Sequence, residues 1–193
     1  MRVSLFLLII LMFGFCKEKS AKPTELISSD STKFFQVSDY INSQVNEVKA
    51  TPYFIYKLIS QGGKKDSTAC NNSEVAELSS QFINPDLNDP SIKKYFTETT
   101  FFDETTKTFS ISYSTTNKEL NLQNVDVLFK EDGETVKRIF IRKFYNYNDS
   151  SAIEQLSWKP GESFQINRLV QYPDNKETSR QITVVWNAKD KEL

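Results

Sequence analysis

The chain has no histidine and only two cysteines among its 193 residues. Without an imidazole there is no Ser-His-Asp triad, no Cys-His pair and no histidine-held zinc, so the commonest general base and the commonest metal ligand are both missing. Acid and base work would fall to a carboxylate pair, a lysine or a tyrosine. An excess of charge of either sign is also missing. Its 24 basic residues stand against 25 acidic ones, which leaves no electrostatic footprint for nucleic acid. The longest apolar run, residues 5–13, is too short for a spanning helix, which needs about 20 residues. No internal repeat and no recognised catalytic motif is visible.

That short run, preceded by Arg2 and followed directly by Lys17-Glu18-Lys19, has the layout of a secretion signal over residues 1–15. The small residues that a general signal peptidase needs are not there. Instead Cys16 stands at the boundary, and Phe13-Gly14-Phe15-Cys16 resembles a lipobox, with Phe13 and Phe15 in place of the usual leucine and small residue. The expectation is cleavage before Cys16 and its acylation, a tether to the membrane in which two or more acyl chains give stable anchoring. The other reading is an uncleaved signal anchor. Residues 16–33 are polar and without period, a flexible spacer, and residues 34–193 suit a single domain. With Cys16 consumed by lipid, Cys70 has no disulfide partner. Beside Asn71, Asn72 and Ser73 it is expected to be partly exposed, without forming a covalent dimer.

Within the domain, Phe34, Val37, Ile41, Val45 and Val48 recur at helical spacing and stop before Pro52, with Gln44 on the polar side. A hairpin follows over PYFIYKLIS and the residues to Cys70, its first strand apolar enough to be central. Asn71 or Asn72 caps a helix from residue 73 to 83, and Asp89-Pro90 opens a shorter one. From Thr97 onward the period is two. Asp132-Gly133 marks a tight turn, and the long strand after it carries Val136, Phe140 and Phe144 on one face and Ile139, Ile141 and Lys143 on the other. The class expected is α+β: an N-terminal amphipathic helix, a hairpin, two short helices and a long antiparallel meander forming a curved, half-barrel-like sheet.

The stretches FFQVSDYI, KRIFI and QLSWKPGESFQI, following the lipobox-like Cys16, resemble a group of uncharacterised outer-membrane lipoproteins of Bacteroidota. The resemblance implies export and a lipid anchor in the outer membrane. It names neither an activity nor a cofactor. At fold level the order of helix and antiparallel sheet is similar to the half-barrels of lipoprotein carriers.

Three constellations are candidates for function. Tyr145, Tyr147, Trp158, Tyr172 and Trp186 fall on or beside successive strands and could face a lipid or stack on a sugar; the other reading is core filling. Asp103 and Glu104 with Glu98 offer the carboxylate pair of a glycosidase, or solvated turn acids. Arg138, Arg142 and Lys143 could hold an anionic group, or be edge and cross-strand charges. The function expected is that of a non-enzymatic envelope lipoprotein binding an apolar ligand or a protein on its curved sheet, with lipid, glycan or protein as the class of ligand. The alternative is a carboxylate-based, glycan-directed hydrolase.

Overall fold

Residues 34–187 are described by the computed structural model. The signal over 1–15, Cys16 and the spacer over 16–33 lie outside the described residues.

Helix α1 (Val37–Ala50) buries Val37, Ile41, Val45 and Val48, the stripe its spacing demands. Asp39 in its first turn and Lys49 in its last suit the helix dipole. It starts three residues later than expected because Phe34 and Phe35 are drawn to the sheet. The Phe34 ring lies 4.6 Å from that of Tyr113, and the Phe35 backbone N–H donates to Tyr113 Oη at 2.8 Å. In α2 (Asn72–Ile83) the Asn71 side chain accepts from the Glu74 N–H, while Glu74 accepts from the Asn71 N–H, a reciprocal cap that satisfies two otherwise unpaired donors. In α3 (Pro90–Lys93) Asp89 is the cap and Pro90 the first residue.

The strands are β1 (Tyr56–Gln61), β2 (Lys64–Ala69), β3 (Thr97–Asp103), β4 (Thr108–Ser114), β5 (Leu122–Phe129), β6 (Val136–Asn146), β7 (Ser151–Lys159), β8 (Ser163–Gln171) and β9 (Glu177–Val185). They form one sheet in the order β2-β1-β9-β8-β7-β6-β5-β4-β3, every neighbouring pair antiparallel. This corrects the expected α+β class. The protein leans to all-β, and its strands hold more than twice as many residues as its helices. The physical reason is that the first hairpin does not stand apart from the meander. Its strand β1 pairs with β9, Tyr56 opposite Val185 through Gln61 opposite Arg180. Strand β1 is therefore second from an edge rather than central.

One face of the sheet is covered. Val125, Val127, Ile139, Ile141, Leu156, Trp158, Phe164, Ile166, Ile182 and Val184 form a single cluster with the buried residues of α1 and with Val75 and Phe82 of α2. Phe82 meets Trp158 and Phe164 edge-on at 5.2 and 5.4 Å between ring centroids, a favoured aromatic geometry. An irregularity in register between Leu128 and Phe129 turns Val136 into this core, away from Phe140 and Phe144, with which simple alternation groups it. An extra residue in one strand flips every side chain beyond it.

Candidate functional site

The face turned away from the helices is where the sheet meets solvent. Alternation places Ser112 of β4, Asn124 and Asp126 of β5, Arg138, Phe140 and Arg142 of β6, Gln155 and Ser157 of β7, and Gln165 and Asn167 of β8 side by side there. They line an open cavity of ≈ 530 Å³. Register sets the neighbours: Phe140 lies between Asp126 and Ser157, and Arg142 between Asn124 and Gln155. Asp126 accepts from Asn124 Nδ2 at 2.7 Å. The Arg138 guanidinium sits 5.8 Å from the Phe140 ring centroid, and its Nη1 reaches Ser157 Oγ at 3.5 Å. A second cavity of ≈ 500 Å³, lined by Phe101, Leu128 and Phe140 among others, shares Ser112, Asp126 and Phe140 with the first.

The five aromatic candidates divide. Trp158 and Trp186 are buried in the core, Trp158 stacked on Phe164 and Trp186 tilted against both. The Trp158 indole N–H finds no acceptor there. Tyr145 and Tyr147 stack at 6.1 Å with rings 4° from parallel. Their hydroxyls are engaged: Tyr145 Oη donates to Glu154 at 3.0 Å, and Arg168 donates to Tyr147 Oη at 3.0 Å and to Glu154 at 2.7 Å. Tyr172 joins Tyr147 around a separate, polar cavity of ≈ 480 Å³ at the β6–β7 and β8–β9 turns.

Arg138, Arg142 and Lys143 divide as well. The two arginines face the open cavity, whereas Lys143 is buried on the helix side and donates to the backbone oxygens of Gln81 and Asn84 at the end of α2. Burial pulls its ammonium down to about 8, against the opposing pull of Glu154.

The carboxylates of β3 do not converge. Glu98 and Asp103 are five residues apart on one strand, hence on opposite faces and about 17 Å apart along it, beyond the roughly 5–10 Å of a glycosidase pair. Asp103 is held in the turn by the Thr105 N–H at 2.8 Å and the Thr106 hydroxyl at 2.8 Å, and these bonds depress its carboxyl. Asp103 and Asp126 both border the second cavity. Their register positions, opposite Thr108 and Ser112 on β4, put them about 16 Å apart by strand rise and strand spacing. Among the described residues no three Cys, Asp or Glu side chains are grouped as a metal would need, and no helix is long and apolar enough to cross a membrane. Cys70 is buried rather than partly exposed, its thiol directed at the Asn71 carbonyl at 3.8 Å and pushed up by burial.

The open cavity escapes a composition-based search because its members are ordinary serines, asparagines and glutamines from five strands. The period-two signal that predicts strands also places Arg138, Phe140 and Arg142 on one face; only register shows which neighbours they meet. No protein-family model, curated protein or solved structure matches the chain.

Proposed function

We propose that the protein is a membrane-tethered, non-catalytic binding module of the cell envelope that holds a glycan on the uncovered face of its sheet. The observation that carries this reading is the lining of the central cavity, in which amide, hydroxyl and guanidinium side chains from β4 to β8 surround a single exposed aromatic ring, Phe140. Amide and guanidinium groups are planar and carry paired donors or acceptors, the geometry that neighbouring hydroxyls of a sugar satisfy. A ring such as Phe140 offers a flat apolar surface to the C–H face of the same sugar. An apolar ligand would call for a mostly apolar lining, and the interior between helices and sheet, where an acyl chain would lie, is occupied by the packed cluster around Trp158 and Phe82. A protein partner would call for a desolvated cluster of large anchors, whereas Phe140 is the one aromatic ring in this lining and small polar side chains surround it.

The test is affinity electrophoresis of the full chain through gels containing a panel of neutral and acidic polysaccharides. At least one should retard it. Ser157→Trp, which fills the cavity from β7 without touching the core, should remove that retardation while leaving the melting temperature within a degree or two, as surface substitutions ordinarily do. Free migration through every gel would overturn the reading.

A further inference from the structure

Deepening that reading, and resting on it, we infer that the glycan is acidic, a polysaccharide whose carboxylate or sulfate groups are met by Arg138 and Arg142 on either side of Phe140. Several other charges of the protein are balanced within it. Arg168 is paired with Glu154 on the neighbouring strand at 2.7 Å, Lys57 with Glu74 at 2.8 Å, Lys159 with Glu162 at 2.8 Å and Lys176 with Asp174. Cross-strand and local partners are the ordinary way to balance charge on a sheet.

Among the described residues neither Arg138 nor Arg142 is paired with a carboxylate, and Arg138 reaches instead the Ser157 hydroxyl and the Phe140 ring. In register, Arg142 lies between Asn124 and Gln155 and Arg138 lies opposite Leu128, so no carboxylate stands directly beside either. The one carboxylate of the central cavity, Asp126, lies across from Phe140 and is taken up by the Asn124 amide. The cavity thus holds two guanidiniums against one carboxylate.

Spacing adds a second constraint. The arginines are four residues apart on one strand, hence on one face and about 13 Å apart along it, with Phe140 midway. A polymer that repeats an acidic group, a ring and a further acidic group matches that order: each acid is gripped by a fork of guanidinium donors, and the ring between them lies over Phe140. The amides of Gln155 and Asn167 remain for hydroxyls. A polyacidic peptide could neutralise the same arginines, but it would bring no sugar ring to lie over Phe140 between them.

The experiment uses the full chain in detergent, with polygalacturonate, alginate and hyaluronan as acidic probes, their methyl esters as uncharged counterparts, and polyglutamate as an acidic polymer without sugars. Binding is read by calorimetry at low and high salt. The expected result is binding to at least one acidic polysaccharide, weakened by salt and by esterification, and weakened by roughly tenfold or more in the double variant R138Q/R142Q. Both side chains face solvent, so the variant keeps its fold, which an unchanged melting temperature verifies. Equal binding of ester and acid, indifferent to R138Q/R142Q, would overturn the acidic assignment and leave the glycan reading standing. Polyglutamate binding as tightly as the best polysaccharide would overturn the saccharide in favour of an acidic protein. Silence from every polysaccharide, charged or esterified, would take down both.

Discussion

Lys143 carries most at the scale of single residues. It is 1 % exposed and donates to the last carbonyls of α2, with Glu154 its register neighbour on β7; Glu154 itself binds Tyr145 and Arg168. A cation at a helix C-terminus is favourable, and a buried one without such partners would be costly. Its folded pKa of about 8 lies below the ordinary 10.5, so between those values the unfolded chain holds more protons than the folded one. Stability therefore rises with pH across that window on account of this group. Tyr113 and Tyr145, raised above the phenol range chiefly by burial, act oppositely above about pH 10. Chemical denaturation of the wild type and of Lys143→Met from pH 7.5 to 10 should show the wild type gaining relative to the variant as pH climbs; a parallel pair of curves would remove the titration from Lys143. Sequence alternation does place Lys143 with Ile139 and Ile141. It cannot show that the end of a helix some sixty residues earlier lies above it, and nearness along the strand alone groups the lysine with two arginines that face the other way.

At the scale of elements, periodicity was a sound guide wherever one face is buried and solvent takes the other. The α1 stripe and the caps Asn71 and Asp89 are examples. It misled where tertiary contacts intervene: at the Val136 irregularity, at the start of α1, and in β3, whose exposed TETTFFD carries no buried alternation. Gln44 is a further instance. Its place on the polar side of α1 predicts a silent position, yet its Oε1 accepts the Gly161 N–H at 2.9 Å, tying the helix to the β7–β8 turn, where Gly161 has a φ of +68°. Gln44→Ala should thus cost about 1 kcal/mol, the net worth of a hydrogen bond. Ile41, fully buried at the centre of the helix, behaves differently. Ile41→Asp should cost about 4 kcal/mol or more, as an unpaired charge put into an apolar core does, and urea titration of the two variants distinguishes them. Equal losses would mean that α1 does not close the core.

For the whole molecule, the helices cover one face, the cavity occupies the other, and two strands are left as edges. Edge β2 is fully exposed and carries Lys64, Lys65 and Asp66, charges that discourage pairing with another chain. Attachment at the N-terminus would present the domain on a spacer of 17 residues after Cys16, long enough for the sheet to meet a polymer outside the lipid surface. Cys16→Ser should therefore shift the protein from the membrane to the soluble fraction, or leave it as uncut precursor, and abolish labelling by a clickable fatty acid; label persisting on the variant would end the tether. The pairing of β1 with β9 has a consequence in time. Tyr56 cannot find Val185 until nearly the whole chain is available, so the first hairpin made is the last to be docked, and closing so long a loop makes for slow assembly. Such a sheet stays open while the chain emerges from the ribosome, and β9 is the latch that joins its first hairpin to the meander.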